Sequence, residues 1–236
     1  MRQLRLLLLP LLTSTTVVQA QHTEFSLHAT SGYYRYRGES ATGTTQLFGG
    51  QSQISPAHTD NPYGNRFTLS YGGGVQTQRI TAHTLVLGAQ AGYEWLRSRA
   101  NVNYLITTRI AEPVRSHVTL TNRFINTHVF GGKRFTAGIC SIDATVGPEV
   151  GLLLQSREQS TASAAGVTLQ ADNKVFKYIK ADIRVRLNVT AYYQRFGLTG
   201  GYSYGLTNYL PDYDGILVDR KLYSQMLRAG LIYRMH

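Results

Sequence analysis

The sequence predicts an all-β protein, an eight-stranded antiparallel up-and-down transmembrane β-barrel, on the basis of three observations. The chain begins with an export signal. No later segment reaches the run of about eighteen apolar residues that a membrane helix needs. Apolar and polar residues alternate with a period of two over several long segments. An exported chain that spans a membrane without helices must close its strands into a barrel, since only then is every backbone hydrogen bond satisfied in lipid.

The export signal occupies residues 1–20. Arg2 and Arg5 precede the apolar run Leu6–Leu12, and Val18-Gln19-Ala20 places small residues three positions and one position before Gln21. A basic start, a short apolar run and a small-residue cleavage site define a secretory signal peptide. We therefore expect cleavage after Ala20 and a single outer-membrane β-barrel domain over residues 21–236.

Alternation is clearest between Val175 and Ala191. One face of this segment carries Val175, Ile179, Ala181, Ile183, Val185, Leu187, Val189 and Ala191, with Lys177 as the exception near its outer end. The other face carries Lys180, Asp182, Arg184 and Arg186. This pattern predicts a strand with lipid on one side and a polar lumen on the other, and it is longer than strands of soluble proteins usually are.

The spacing of the alternating segments predicts eight strands joined by connections of alternating length. The long connections are Arg37–Gly64, Arg97–His117, Ser156–Asn173 and Thr207–Leu222. The short ones are Gln78–His83, Thr136–Gly138 and Tyr192–Gln194. Long extracellular loops alternating with short periplasmic turns are typical of outer-membrane barrels. Tyrosines near strand ends, such as Tyr33, Tyr93 and Tyr204, fit the aromatic belts of a membrane protein. A soluble β-protein is the alternative.

The charged residues on the inward faces form the candidate site, a lumen charge network. Its predicted members are Arg66, Glu94, Asp143, Glu149, Lys180, Asp182, Arg184, Arg186, Arg195 and Arg228. Glu24, His28, Arg123 and Arg234 are predicted on inward faces as well. Because side chains just fill a barrel of eight strands, we expect a structural plug of paired charges. The excess of basic residues leaves a narrow, porin-like, anion-preferring pore as an alternative.

Catalysis has little support in the sequence, so we expect no enzymatic activity, no cofactor and no metal. Ser116, His117 and His128, with Glu112 nearby, could be imagined in an outer-leaflet lipid-modifying enzyme, the other alternative. Their spacing is not specific, and no G-x-S-x-G motif occurs. The seven histidines lack metal-ligand spacing, and Cys140 is the only cysteine.

Two C-terminal segments, Gly200–Asn208 and Leu227–Tyr233, resemble the outer-membrane β-barrel domain family of Bacteroidetes, which includes PorT-like proteins. The motif-level resemblance covers about the last forty residues. It implies an eight-stranded barrel in the outer membrane and little about activity. The chain departs from outer-membrane barrels in one respect, because it ends in His236 where an aromatic residue is usual.

Charge and location together predict the partners. The chain has 24 basic and 13 acidic residues, a net charge of +11, and removal of Arg2 and Arg5 leaves +9. The connection 97–117 carries Arg97, Arg99, Arg109 and Arg115, so it is expected near lipopolysaccharide phosphates. We expect a monomer in the bacterial outer membrane that contacts lipid and lipopolysaccharide, with protein partners at its loops and no nucleic acid. Its predicted role is structural or surface interaction.

Overall fold

Long β-strands dominate the computed structural model, as alternating apolar and polar residues favour. It describes residues 21–49, 56–109, 111–175, 179–210 and 220–235, the side chain of Ala137 excepted. The predicted signal peptide, residues 1–20, lies outside the described residues. No helix among the described residues is long and apolar enough to cross a membrane. The strands are β1 (His22–Arg37), β2 (Thr44–Phe48), β3 (His58–Thr59), β4 (Arg66–Ile80), β5 (Leu85–Ile106), β6 (Ala111–Ala137), β7 (Cys140–Ala164), β8 (Val167–Lys174), β9 (Ala181–Tyr193), β10 (Phe196–Gly205) and β11 (Tyr223–Arg234).

Eight of these strands close into a ring. Antiparallel pairing runs in the order β1-β4-β5-β6-β7-β9-β10-β11, and β11 pairs with β1 to complete the circle. The predicted eight-stranded up-and-down barrel is therefore confirmed. At one end of the ring, here called the turn end, the connections are short. They contain Thr84, Gly138 and Gln194, whose positive φ angles allow the chain to reverse tightly.

The outward face of the ring is apolar over most of its height. Ile183 is 48% exposed and Leu187 is 53% exposed on β9, whereas Asp182 and Arg184 between them are buried. The same alternation on β1 exposes Phe25 and Leu27. Since successive side chains of a strand point to opposite sides, the ring presents hydrocarbon outward and encloses its polar groups.

At the end opposite the turns, β5, β6 and β7 continue far beyond the ring. There β2 adds parallel to β5, β3 pairs with β2, and β8 pairs with β7. We call this part the extension; it comprises β2, β3, β8 and the segments 99–106, 111–119 and 157–164. The predicted loops Arg97–His117 and Ser156–Asn173 are wrong in this respect, because both segments form β-hairpins. The two segments alternate as the ring strands do, but their apolar residues face inward and their polar residues face outward, which is the reverse of the ring.

The interior of the extension is mainly apolar. Its buried apolar cluster consists of Leu47, Ala100, Val102, Leu105, Val118, Ala162 and Ala171. Side chains complete the circle where β3 and β8 meet: Glu158 accepts the amide proton of Thr59 at 2.7 Å, and Asn173 donates to the carbonyl of Ala57 at 2.5 Å. Apart from Tyr104 and Val167, the outward side chains here are mostly polar, so the extension reverses the amphipathic pattern of the ring.

An apolar layer separates the lumen from the extension. It contains Tyr34, Tyr36, Leu96, Leu120, Phe124, Leu153, Tyr209, Leu222 and Met226. Tyr36 lies at its centre and makes edge-to-face contacts with Tyr34 and Tyr209 at centroid distances of 5.3 and 5.1 Å. Val175 and Ile179 pack against this layer. The prediction of one strand from Val175 to Ala191 is therefore wrong at its start, since β9 begins at Ala181.

Candidate functional site

The predicted lumen charges form two clusters of ion pairs. The upper network lies beneath the apolar layer and is centred on Glu149. Arg228 Nη2 lies 2.7 Å and Arg184 Nη1 lies 2.9 Å from Glu149 Oε1. Arg184 also contacts Asp182 at 2.6 Å, and Arg228 contacts Glu94 at 3.1 Å. Each guanidinium thus bridges two carboxylates, an arrangement that offsets the cost of burying these charges.

Hydroxyl groups complete the upper network. Ser203 donates to Glu149 Oε2 at 2.9 Å, and Tyr209 and Ser224 donate to Asp182 Oδ2 at 2.7 and 2.8 Å. The Arg184 guanidinium lies 5.0 Å from the ring centroid of Phe124 in the apolar layer. The network and the layer above it therefore form one continuous plug.

The lower network lies near the turn end and is centred on Arg134. Its guanidinium contacts Asp143 at 2.6 Å and Glu24 at 2.7 Å. Arg234 lies 3.2 Å from Glu24 and 3.4 Å from the ring centroid of Tyr192. Gln78 donates to both carboxylates at 2.7 and 3.2 Å. Two guanidiniums and two carboxylates therefore neutralise each other at this end.

Between the two networks lies a polar layer with less complete pairing. Arg186 donates to Asn188 at 2.9 Å. Both ring nitrogens of His128 and both amide atoms of Asn126 are buried without a hydrogen-bond partner among the described residues. Cavities of about 20 and 10 Å³ adjoin these groups, which is room for roughly one water molecule in the larger one. Among the described residues, the layer is polar and the cavities in it are small.

The structure places seven of the ten predicted network residues in the lumen: Glu94, Asp143, Glu149, Asp182, Arg184, Arg186 and Arg228. Arg66, Lys180 and Arg195 are exposed and lie outside it. An extra residue on β4 between Phe67 and Tyr71 places Arg66 opposite the outward Arg99. Lys180 and Arg195 lie in connections just beyond strand ends, where the alternation no longer applies.

Further differences concern the inward faces. Glu24 and Arg234 belong to the lower network, and His28 is buried, as their alternation predicts. Arg123 is exposed and faces outward, opposite Trp95. Arg134 was not predicted, although it centres the lower network. The sequence contains a signal for it. Phe135 is a large apolar residue suited to the outward face, and adjacent residues of a strand face opposite sides, so Arg134 is expected to face inward.

Arginines surround the outer face where the ring meets the extension. Arg35 lies 4.3 Å above the ring of Phe67, Arg37 lies 3.7 Å above Tyr204, and Arg97 lies 5.3 Å above Tyr71. These three side chains and Arg123 form what we call the arginine belt. It lies beside outward aromatic residues that include Tyr93 and Trp95, whose rings are 4.5 Å apart. Stacked aromatic and guanidinium groups suit the boundary between hydrocarbon and charged headgroups.

Beyond the belt, the outer face of the extension contains a groove of about 900 Å³, here called the basic groove. Its polar lining consists of Asn65, Arg66, Arg99, Asn101, Asn103, Arg115, Ser116 and His117. Among the described residues that line it, none is acidic. Partial burial, with a smaller contribution from the Arg99 charge, lowers the pKa of His117. His117 is therefore neutral at neutral pH, and the arginines carry the positive charge.

The residues considered for lipid hydrolysis do not converge. Ser116 donates its hydroxyl proton to the backbone carbonyl of Thr161. His117 faces outward in the basic groove, whereas His128 is buried in the lumen. Nucleophilic catalysis needs the hydroxyl to face a base, and this hydroxyl is occupied by a backbone acceptor. Within the described part of the chain, no three His, Cys, Asp or Glu side chains are grouped as a metal site would require.

Comparison with known proteins gives similarity in structure only. No family model and no curated protein matches the chain. The attachment invasion locus protein Ail of Yersinia pestis aligns over 91% of this chain and 99% of its own, with 10% identity and a TM-score of 0.35. Neisserial surface protein A aligns over 90% and 98%, with 9% identity and a TM-score of 0.33. The translocator domain of autotransporter NalP from Neisseria meningitidis aligns over 89% and 88%, with 8% identity and a TM-score of 0.32.

All three are outer-membrane β-barrel proteins. One Ail structure contains the heparin analogue sucrose octasulfate. Similarity at this level is too low to carry a functional argument, so the barrel assignment rests on the strand pairing of this chain. The resemblance to PorT-like proteins stays a prediction.

Proposed function

We propose that this chain is a non-conducting, non-catalytic barrel of the bacterial outer membrane whose extension presents an interaction surface outside the cell. The reversal of amphipathic pattern along β5 carries this proposal. Leu85, Leu87 and Trp95 face outward below the arginine belt, whereas Arg97 and Arg99 face outward from the belt onward. A strand that faces hydrocarbon and then water needs this change of outward residues at the membrane surface.

The plugged lumen supports a structural role over a pore. Among the described residues, five carboxylates face five guanidiniums inside the ring: Glu24, Glu94, Asp143, Glu149 and Asp182 against Arg134, Arg184, Arg186, Arg228 and Arg234. Their balance removes the positive lumen on which an anion-preferring pore depends. The apolar layer adds a second barrier, since ions do not cross a dry region of packed tyrosines and leucines.

The arginine belt supports contact with lipopolysaccharide. Guanidinium groups bind phosphate with paired hydrogen bonds, and the belt places four of them beside the outward aromatic residues. The closed ring leaves no strand edge in the membrane for a second copy to pair with, which supports a monomer. Protein partners would meet the polar outer surface of the extension.

Labelling of cysteines on intact cells tests this orientation. The native Cys140 is exposed at the turn end and should lie in the periplasm. A polymer-coupled maleimide too large for porins should leave it unlabelled until the outer membrane is permeabilised. Gln170, exposed on β8, offers the opposite case. Gln170→Cys in a Cys140→Ser background should label at once on intact cells.

Planar bilayer recordings provide the second readout. The reconstituted wild-type protein should give no conductance steps above the leak of protein-free bilayers. In the cysteine experiment, equal labelling of Cys140 and of Gln170→Cys on intact cells would contradict the outer-membrane orientation. Regular conductance steps would instead overturn the plugged lumen while leaving the orientation intact.

A further inference from the structure

We propose that the basic groove binds the phosphorylated core oligosaccharide of the lipopolysaccharide that surrounds the barrel. The inference rests on the proposed outer-membrane location and names the partner of the extension. Its first support is a pairing of like charges. Arg66 on β4 lies directly opposite Arg99 on β5 in the strand register. Like charges in such a cross-strand pair destabilise a sheet unless an anion lies between them.

The composition of the groove supports a charged sugar as its ligand. Arg66, Arg99 and Arg115 supply guanidinium groups, which bind phosphate in a bidentate manner. Asn65, Asn101 and Asn103 supply amides that can both donate to and accept from sugar hydroxyls. The volume of about 900 Å³ falls in the range of about 300–1,000 Å³ that is usual for ligand sites.

The position of the groove favours the surrounding leaflet as the source of that ligand. The groove opens on the outer wall of the extension, so it faces sideways over the membrane. Arg99 follows Trp95 by four residues along β5, a rise of about 13 Å at roughly 3.3 Å per residue. Because the strands of outer-membrane barrels tilt by about 35–45°, Arg99 lies on the order of 10 Å farther along the barrel axis than Trp95, on the headgroup side of the outward aromatic residues.

Calorimetric titration of the purified barrel in zwitterionic micelles tests the proposal. The probes are lipid-free phosphorylated core oligosaccharide and the same oligosaccharide after enzymatic dephosphorylation. The triple variant Arg66→Gln, Arg99→Gln, Arg115→Gln should weaken binding of the phosphorylated probe by about tenfold or more, the effect of losing at least one charged hydrogen bond. The dephosphorylated probe should bind poorly to both proteins.

A matched control removes three charges at the turn end. Arg79, Lys133 and Arg195 are exposed there, so the variant Arg79→Gln, Lys133→Gln, Arg195→Gln should bind as the wild type does. Equal affinity of the groove variant and the wild type would overturn the proposal. So would equal binding of the two probes.

Two further measurements distinguish failure of this inference from failure of the proposed function. Insertion of each variant into lipopolysaccharide vesicles, followed by heat modifiability in gels, shows whether the barrel itself is intact. If the wild type does not insert, the proposed function fails. The second measurement is competition between lipopolysaccharide vesicles and a sulfated polysaccharide for binding to the groove. If the wild type inserts but the vesicles do not compete, the surrounding leaflet does not supply the ligand. In that case the present inference fails and the proposed function does not.

Discussion

The lumen and the extension both enclose an interior within a circle of strands, yet they fill it with opposite chemistry. The lumen buries Arg184 and Glu149 beneath an apolar outer wall, whereas the extension buries Leu105 and Val118 beneath a polar outer wall. In the proposed outer-membrane location, lipid surrounds the ring and water surrounds the extension, which explains the difference. Apolar residues gain nothing by moving from lipid into a core, so the lumen is held by ion pairs and hydrogen bonds. The extension is held by the hydrophobic effect.

The largest expected effect comes from breaking the upper network. Glu149→Gln removes one charge and leaves Arg184 and Arg228 buried with excess positive charge, which should cost about 3–5 kcal/mol of unfolding free energy. Urea unfolding in micelles, followed by fluorescence of Trp95, measures it. Glu112→Gln is the matched control, because Glu112 is exposed in the extension. A loss of similar size in both variants would break the proposed contrast.

Truncation in the extension should act on packing instead of charge. Leu105→Ala removes a fully buried side chain and should cost about 2–5 kcal/mol, confined to the extension. Proteolysis should then cut the extension while the ring still shows heat modifiability. Leu87→Ala, on the lipid-facing wall, should leave proteolysis unchanged, because lipid replaces the lost contacts. Global unfolding of Leu105→Ala would show that the two regions are one cooperative unit.

A depth series on β9 sharpens the comparison of the two outer walls. Val189→Arg, near the middle of the apolar band, should cost about 2–4 kcal/mol of folding free energy in bilayers. Ile183→Arg, close to the arginine belt, should cost less, and Thr168→Arg on the extension should be nearly neutral. Folding yields into vesicles measure all three. Equal yields would mean that β9 does not face hydrocarbon.

Alternation predicts the ring well because every spanning strand faces the same two environments over its whole length. Ile183, Val185 and Leu187 all face outward for this reason. The extension does not follow the same rule, because the outward residues of β5 change from apolar to polar near Trp95 without any break in the strand. At Arg97 the apolar residues move from the outward face of β5 to its inward face, and in the sequence this change resembles the end of a strand. Bulges are equally hidden, as Arg66 shows, since one extra residue reverses which side it faces.

The smallest expected effect comes from a Glu→Gln substitution in the extension, at Glu158, which can be compared with Glu149→Gln in the lumen. Glu158 is buried in the extension, where it accepts a backbone hydrogen bond from Thr59, and burial raises its pKa. A raised pKa means that the folded state holds the proton more tightly than the unfolded state. The stability that this proton contributes is therefore present in acid and is lost as the pH rises through the raised pKa. Glu158→Gln keeps the acceptor and removes the charge.

At neutral pH this variant should match or exceed the wild type by about 1 kcal/mol or less, and its extension should lose the pH dependence. Hydrogen exchange of residues in β3 and β8 between acid and neutral pH measures both effects. The opposite slope, with the wild-type extension gaining stability as the pH rises, would show that a cation stabilises the Glu158 carboxylate. Buried carboxylates in the extension would then resemble those of the lumen, and the contrast between a dry and an ionic interior would not hold.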